Sequence, residues 1–209
     1  KAVAVQPEDV GLLEELGKAY LHAGRTQKAC NIFEKLIGIE NDNTVYYCNW
    51  GEALFAAGRK EASEQAYLKA GEMDPEQADH YYFKIANLFQ LTGQHQDAER
   101  LFNKCVEIRP DNPLYYCSLG DCLVDRGQIK DAFQSYKTAA TKDRAGAGAY
   151  YNRLGNALIK AGNVPDAIEA FQAAIAHDSA ERYYLNLANA YKAMGLDEQA
   201  DQIMGKLKK

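Results

Sequence analysis

The sequence predicts an all-α fold, an α-solenoid of antiparallel helix pairs, and three repeated features support this prediction. Glycine recurs about every 34 residues along the chain of 209 residues, a period typical of solenoids rather than of a single closed core. A small residue lies seven positions before each glycine, and a small residue followed by a large one lies after it. The recurring glycines are Gly24, Gly58, Gly93, Gly127, Gly162 and Gly195.

The first helix of each predicted repeat is indicated by the small residue and its large neighbours. A glycine inside a helix costs about 1 kcal/mol relative to alanine, so a repeated small residue there indicates close contact with another helix. Large apolar residues stand one position before it and three positions after it, which is one stripe of an amphipathic helix. The small residues are Gly17, Gly51, Ala86, Gly120, Gly155 and Ala188.

The second helix follows the recurring glycine, which we expect to end the first helix in a left-handed conformation that other residues rarely adopt. A small residue and, four positions later, a large residue then share one face of the second helix. Proline closes some repeats, at Pro7, Pro75 and Pro110, because it cannot continue a helix. The large residues of the second helices are Phe33, Tyr67, Phe102, Tyr136, Phe171 and Met204.

We predict one continuous solenoid domain, and positions are counted below from the first residue of each repeat. Residues 1–9 match the last quarter of a repeat, so we expect the chain to begin inside a preceding repeat. At the joint between repeats 4 and 5, Gly146 and Gly148 leave two interpretations open, a bend or a longer turn. The predicted boundaries are 1–9 for the tail of a preceding repeat, 10–43 for repeat 1, 44–78 for repeat 2, 79–112 for repeat 3, 113–147 for repeat 4, 148–180 for repeat 5 and 181–209 for repeat 6.

These patterns resemble the tetratricopeptide repeat family, whose signature is W-x2-L-G-x2-Y, then A-x3-F, then P. The resemblance covers nearly the whole chain, and it implies a right-handed superhelix whose first helices line a concave surface. The sequence departs from the signature at its first position, where Leu13 and then tyrosines replace tryptophan, and it lacks proline after repeats 1, 4 and 5. These departures concern the joints between repeats rather than the family.

Tyrosine is unusually frequent, with fourteen residues, and ten of them form five adjacent pairs. Adjacent residues of a helix point about 100° apart, so one tyrosine can fill the core of its own repeat while the other packs on the preceding repeat. The alternative is an aromatic ladder that binds a ligand. The pairs are Tyr46 with Tyr47, Tyr81 with Tyr82, Tyr115 with Tyr116, Tyr150 with Tyr151, and Tyr183 with Tyr184.

Charge and composition exclude several classes of partner. The chain has 24 Lys and Arg against 29 Asp and Glu, a net charge of −5, and it lacks the clustered cations that bind nucleic acid. No apolar stretch approaches the roughly 18 to 20 residues that span a membrane, so we predict no membrane insertion. Five cysteines without C-x-x-C spacing argue against disulfides and zinc, and they favour a reducing cytoplasm.

No catalytic, cofactor-binding or metal-binding pattern is recognisable in the sequence. Neither a grouping of serine, histidine and acid nor a phosphate-binding loop is present. We therefore predict that the chain is not an enzyme and that it uses no cofactor or metal. The four histidines stand in different repeats without metal-ligand spacing: His22, His80, His95 and His177.

The candidate binding surface is the concave one that the resemblance implies. Asparagine is concentrated at the positions facing it, and an amide both donates and accepts hydrogen bonds, so a series of amides can hold the backbone of an extended peptide. Basic residues in repeats 5 and 6 favour an acidic segment of the partner. The alternative is that these asparagines are only solvated on an exposed face. The predicted peptide-binding residues are Asn49, Lys84, Asn87, Asn152, Arg153, Asn156, Lys160, Arg182, Asn186, Asn189 and Lys192.

We predict a non-catalytic protein interaction module, a scaffold that binds a peptide or partner helix on the concave surface. The asparagines are similar to the asparagine ladder in the repeats of O-linked N-acetylglucosamine transferases, but they use three positions of the repeat instead of one. No three consecutive repeats satisfy the pattern of the carboxylate clamp that grips chaperone tails. Two alternatives stay open: a scaffold that forms homo-oligomers through open repeat ends, and the substrate-recruiting arm of a larger enzyme such as a glycosyltransferase.

Overall fold

Twelve α-helices and one short 3-10 helix form the secondary structure of residues 9–207, which are the residues that this computed structural model describes. These residues contain no β-strand, so the predicted all-α fold is confirmed. They divide into two compact units, unit 1 ending at Leu91 and unit 2 starting at Thr92. Within each unit, successive helices are joined by short turns and pack against each other, which is the arrangement of an α-solenoid.

In unit 1, side-chain caps explain where two of the helices begin. Asp9 Oδ1 accepts a hydrogen bond from Leu12 N at 3.1 Å, and Asn43 Oδ1 accepts one from Val45 N at 3.1 Å. Such caps satisfy backbone N–H groups that have no partner within the helix. The helices are α1 (Val10–His22), α2 (Thr26–Ile39), α3 (Thr44–Ala56), α4 (Lys60–Met73), the 3-10 helix (Pro75–Gln77) and α5 (Ala78–Leu91).

Unit 2 uses caps and prolines in the same way. Asn112 Oδ1 accepts a hydrogen bond from Leu114 N at 3.1 Å, and proline occupies the first turns of α7 and α10, where no N–H partner is needed. Its helices are α6 (His95–Ile108), α7 (Pro113–Asp125), α8 (Ile129–Lys142), α9 (Ala147–Lys160), α10 (Val164–His177), α11 (Glu181–Ala193) and α12 (Asp197–Lys206).

The recurring glycines end the first helices as the sequence predicts. All six have a positive φ, between 68° at Gly24 and 79° at Gly162, and no other described residue does. An L-residue with a side chain adopts this conformation only at a cost, so glycine is the residue that lets the chain reverse direction here.

The small residues of the first helices lie against aromatic rings of the second helices. A Cβ atom added to Gly51 would lie 2.7 Å from Tyr67 Cε2, and one added to Gly120 would lie 2.6 Å from Tyr136 Cε2. Both rings are buried. Glycine at these positions therefore permits a close approach of two helices, which confirms the role predicted from the sequence.

Two of the tyrosine pairs connect their own repeat to the one before it. The hydroxyl of Tyr81 donates to Asp74 Oδ2 at 3.2 Å, and that of Tyr150 donates to Asp143 Oδ2 at 2.6 Å. Both carboxylates belong to the preceding predicted repeat, which confirms that one tyrosine of a pair packs there. The first tyrosine is buried in four of the five pairs, whereas the second is only half-buried at the edge of the core.

Each unit has its own core between facing helices. Complete burial of such a side chain contributes about 1.5–3 kcal/mol. In unit 1 the fully buried side chains include Phe33, Leu36 and Leu54, and in unit 2 they include Tyr136, Leu154, Leu158 and Phe171.

The joint between predicted repeats 4 and 5 is a turn braced by Asp143. Its Oδ1 accepts hydrogen bonds from the backbone N–H groups of Ala145 at 3.1 Å and Gly146 at 3.2 Å. Because α9 begins at Ala147, Gly148 lies inside the helix, where an added Cβ would be 2.9 Å from Asp178 Cβ. The structure thus assigns Gly148 a packing role, and a bend at this joint stays a hypothesis.

The first helices of the pairs begin at Val10, Thr44, Ala78, Pro113, Ala147 and Glu181, each within one residue of a predicted repeat start. The repeat boundaries and the single continuous domain nevertheless stay predictions, because the two units are described separately. The predicted tail at 1–9 lies outside the described residues except for Asp9, which caps α1. Within residues 9–207, no helix is long and apolar enough to cross a membrane.

Candidate functional site

The asparagines of unit 2 form rows on two first helices. On α9, Asn152, Asn156 and Lys160 follow each other at intervals of four residues, which places them on one face of the helix. On α11, Asn186 and Asn189 are three residues apart and likewise share a face. These residues of the predicted surface therefore lie on the first helices α9 and α11.

A direct hydrogen bond joins the two rows. Asn186 Nδ2 donates to Asn152 Oδ1 at 2.8 Å, and both side chains are half-buried. Asn156 and Asn189 are exposed. An amide carries two N–H donors and two acceptor lone pairs, so the pair and its exposed neighbours keep groups available for a ligand.

Three basic residues flank these amides. Lys160 and Lys192 are exposed in the last turns of α9 and α11, where a positive charge complements the helix dipole. Arg182 is exposed near the start of α11, with its guanidinium 5.0 Å from the centre of the Tyr183 ring. Its Nη2 donates to the Tyr183 hydroxyl at 3.1 Å.

Arg153, the fourth predicted cation of this surface, already has a carboxylate partner. Its Nε donates to Asp121 Oδ2 at 2.9 Å and its Nη2 to the same oxygen at 2.6 Å. The hydroxyl of Tyr136 donates to Asp121 Oδ1, so both oxygens of this carboxylate have partners. The charge of Arg153 is thus largely neutralised within the molecule.

Burial governs the electrostatics of this group. It raises the pKa of the Asp121 carboxyl above its ordinary value, and the Arg153 guanidinium and the Tyr136 hydroxyl oppose that rise. Burial, and then the nearby Asp121 charge, raise the pKa of Tyr136 well above its ordinary value. The phenol therefore stays a hydrogen-bond donor at neutral pH, and it holds Asp121 beside Arg153.

The pairing of Asp121 with Arg153 is the feature that sequence analysis missed. Asp121 is at position 9 of repeat 4 and Arg153 at position 6 of repeat 5, and the surface was predicted from each helix separately. The sequence does contain one indication of this ion pair, because the two positions carry opposite charges in consecutive repeats. It could not be used because the sequence does not show which positions of neighbouring repeats touch.

In unit 1 the predicted residues lie on α3 and α5. Asn49 Nδ2 is buried and has no hydrogen-bond partner among the described residues, while Asn87 Nδ2 donates to the backbone oxygen of Phe83 at 2.6 Å. Lys84 is exposed. Burial raises the pKa of the Cys48 thiol to about 11 and Lys84 opposes this rise, which indicates that the ammonium group lies near Cys48.

The thiols and potential metal ligands of the described residues form neither a disulfide nor a metal-binding cluster. All five cysteines are buried as free thiols. Among residues 9–207, no group of three or more His, Cys, Asp or Glu side chains could hold a metal ion. The arrangement offers hydrogen bonds and charges for recognition.

Fold and repeat pattern together define an α-solenoid of tetratricopeptide type. Models described as tetratricopeptide repeat match residues 12–44, 45–77, 79–112, 117–181 and 152–200, which together include most of the sequence. The chain belongs to the tetratricopeptide repeat family, as its resemblance predicted. The fold is that of a scaffold, which is consistent with a role as a protein interaction module.

Similar curated proteins share only part of their length with this chain. Human Protein O-mannosyl-transferase TMTC3 is 24% identical over 106 residues, which are 51% of this chain and 12% of that protein. Protein O-mannosyl-transferase Tmtc3 of Drosophila melanogaster is 26% identical over 136 residues, 58% and 15% of the two chains. Small glutamine-rich tetratricopeptide repeat-containing protein of Dictyostelium discoideum is 27% identical over 109 residues, 52% and 32% of the two chains.

Solved structures share the fold at low identity. The crystal structure of MamA has a TM-score of 0.54 and 22% identity, and the match covers 75% of this chain and 91% of that one. MamA 41-end from Desulfovibrio magneticus RS-1 has a TM-score of 0.57 and 15% identity, with 85% and 99% covered. YrrB, described as a TPR protein with an unusual peptide-binding site, has a TM-score of 0.53 and 22% identity, with 83% and 89% covered.

Proposed function

We propose that this chain is a non-catalytic interaction module that holds a peptide or partner helix on its first-helix surface. In unit 2 this surface consists of Asn152, Asn156, Asn186 and Asn189. The observation that carries the proposal is the hydrogen bond between Asn186 and Asn152, because it connects amides of two consecutive first helices into one polar surface. An extended peptide backbone presents alternating N–H and C=O groups, which amides can pair without reading side chains.

The flanking charges indicate what the partner carries. Lys160, Arg182 and Lys192 are exposed around the amides, so a carboxylate-bearing segment would find partners at the edges of the surface. Arg153 contributes less, since Asp121 already accepts its hydrogen bonds. In unit 1, Asn49, Lys84 and Asn87 are proposed to bind a peptide in a similar way.

The test is a selection of random dodecapeptides displayed on phage, followed by affinity measurements on purified variants. The variant Asn156→Ala/Asn189→Ala removes two exposed amides and leaves the bond between Asn152 and Asn186 in place. We expect selected peptides to lose at least about fivefold in affinity, since each of the two truncations removes hydrogen bonding worth about 0.5–1.5 kcal/mol. The matched control is Asn103→Ala, which removes an exposed amide from α6, a second helix. Equal affinities for the double variant and the wild type would place the binding site elsewhere.

The proposed module consists of six repeats with the boundaries predicted from the sequence, 10–43 through 181–209, preceded by the tail of another repeat at 1–9. The starts of the first helices support these limits. Within each unit, each repeat supplies one first helix to the proposed binding surface.

Self-assembly is a second candidate, and the exposed face of α1 favours it. Leu12 is 69% exposed at position 3 of repeat 1, whereas the tyrosines at this position in repeats 2 and 6, Tyr46 and Tyr183, are 4% and 1% exposed. Leu16, one turn further along the same face of α1, is 41% exposed, and contiguous exposed apolar surface often marks a contact with another chain. Analytical ultracentrifugation over a range of concentrations tests this candidate: it requires a homo-oligomer that Leu12→Glu dissociates.

A role as the substrate-recruiting arm of a larger enzyme is a third candidate. It is favoured by the similarity to parts of two proteins named as O-mannosyl-transferases. In that case these residues bind a protein substrate, and the transfer chemistry belongs to other residues of the longer chain.

We propose a cytoplasmic location and no cofactor for the module itself, and the five buried free thiols support a reducing environment.

A further inference from the structure

The edge of Arg153 that a carboxylate of a partner would use is occupied by Asp121. An arginine binds a carboxylate most strongly through two parallel N–H groups of its guanidinium. Here Nε and Nη2 form such an edge, and both donate to Asp121 Oδ2, at 2.9 Å and 2.6 Å. A further contact, from Nη2 to Ser118 Oγ at 3.4 Å, lies on the same side.

Asp121 is itself held in place by a hydrogen bond from Tyr136 on α8. The hydroxyl of Tyr136 donates to its Oδ1, and the ring of Tyr136 is completely buried. Gly120 leaves room for this ring, because an added Cβ there would lie 2.6 Å from it. The carboxylate therefore has a fixed partner on each side and cannot rotate away from Arg153 without breaking a buried hydrogen bond.

The pair is reachable from solvent but has no net charge. The side chain of Arg153 is 41% exposed and that of Asp121 is 20% exposed. An acidic segment that approached Arg153 would meet the negative charge of Asp121 within a few ångströms, at a partly buried position where solvent screens charges weakly. The repulsion would offset the attraction of the arginine.

The equivalent positions of unit 1 show that the repeat geometry does not impose this pairing. Position 9 of repeat 2 is Glu52 and position 6 of repeat 3 is Lys84, the same charge pattern as Asp121 and Arg153. Both side chains are exposed, and neither forms an ion pair among the described residues. Lys84 is therefore open to a carboxylate, whereas Arg153 is not.

We infer that Asp121 is a specificity-determining residue, an internal carboxylate that occupies Arg153 and disfavours acidic partners on this part of unit 2. The inference rests on the proposed function of the first-helix surface. Neutral groups such as backbone carbonyls can still approach Nη1 of Arg153, which donates to no atom of the described residues. Acidic segments would instead bind to exposed cations that form no ion pair among the described residues, such as Lys84, Lys160 and Lys192.

The test measures fluorescence polarisation of fluorescein-labelled octaglutamate with the wild type and three variants at low salt. We expect Asp121→Asn to bind octaglutamate at least tenfold more tightly than the wild type, and Asp121→Asn/Arg153→Gln to return to the wild-type affinity. The control Asp131→Asn removes an exposed carboxylate from α8 and changes the net charge equally, so it should give no such gain. No gain in Asp121→Asn, or a gain that persists without Arg153, would overturn the inference.

A measurement on the wild type avoids dependence on the folding of the variants. The Nε–H resonance of Arg153 in a ¹⁵N NMR spectrum reports its hydrogen bond to Asp121, and we expect no shift of this resonance during titration with octaglutamate. A shift would show that the acidic peptide displaces Asp121, which contradicts the inference. If octaglutamate gives no gain while selected dodecapeptides still require Asn156 and Asn189, the inference fails and the proposed function stands. If the dodecapeptides do not require these asparagines, the proposed function fails.

Discussion

Replacing Gly155 by alanine would place a methyl group where an aromatic ring already lies. A Cβ atom at this position of α9 would be 2.5 Å from Phe171 Cδ1 and 2.7 Å from its Cζ, whereas carbon atoms in contact are normally about 3.5–4.0 Å apart. Phe171 is 1% exposed, so its ring cannot move into solvent. The two helices or the ring must therefore shift.

The expected effect is the difference of two opposing contributions. Alanine favours the helix over glycine by about 1 kcal/mol. Overpacking a well-filled core costs about 1–3 kcal/mol, and the upper part of this range applies here because the ring is enclosed. We therefore expect the free energy of unfolding of Gly155→Ala to fall by about 1–2 kcal/mol, which corresponds to a decrease in Tm of roughly 2–8 °C for a chain of this size.

Thermal and urea denaturation followed by circular dichroism measure this effect. The matched control is Gly38→Ala in α2, where the added Cβ meets no atom within 4 Å. This variant should be more stable than the wild type by about 0.5–1 kcal/mol, because only the helix preference changes. If Gly155→Ala is as stable as Gly38→Ala, the argument that glycine is required by the close approach of α9 and α10 is refuted.

The last repeat has a different pair of residues at the two positions, and this difference suggests a second experiment. There the small residue is Ala188 and the large residue of the second helix is Met204, in place of Gly155 and Phe171. Methionine is flexible and adapts to irregular space, so Phe171→Met should reduce the cost of Gly155→Ala. In a double-mutant cycle, we expect a favourable coupling of at least about 1 kcal/mol between the two changes.

Three further predictions follow from the turns, the braced joint and the thiols. Gly162 has a φ of 79° and open space around it, so Gly162→Ala should lower the free energy of unfolding by about 1–2 kcal/mol through backbone strain alone, measured by urea denaturation. Hydrogen bonds from the Tyr150 hydroxyl and from the N–H of Gly146 lower the pKa of Asp143 below its ordinary 3.8. The Asp143 carboxylate therefore stabilises the fold above about pH 4, and this stabilisation is lost as the pH falls through the lowered pKa of the folded protein. The protection factor of the Gly146 amide in hydrogen exchange, which is corrected for the intrinsic pH dependence, should fall in that range, and it should be low at every pH in Asp143→Ala, which has no side-chain acceptor. Burial raises the pKa of Cys48 to about 11 and that of Cys117 to about 12, so Ellman's reagent should label none of the five cysteines at pH 8 until the protein is unfolded.

The periodic features of the sequence predicted most of the fold. Each turn glycine, such as Gly127, has the positive φ that the repeat implied. Each glycine at the small-residue position of a first helix, such as Gly51, lies against an aromatic ring of the second helix. These features are predictable because they depend on residues within one repeat, where the helix period determines which side chains share a face. The rows of asparagines on α9 and α11 were predictable for the same reason.

Contacts between neighbouring repeats were decided only by the tertiary structure. The sequence alone presented Arg153 as one more cation of the surface, and it presented Asp121 and Tyr136 as members of separate patterns. The way α7, α8 and α9 pack brings the three side chains together, and burial then determines which charge is neutralised. Helix period is a property of the local sequence, whereas the register between one helix and the next depends on the fit of whole side chains across an interface. For that reason the sequence by itself determined the helix pairs and predicted a candidate surface, and the tertiary structure decided which polar groups there are already paired within the molecule.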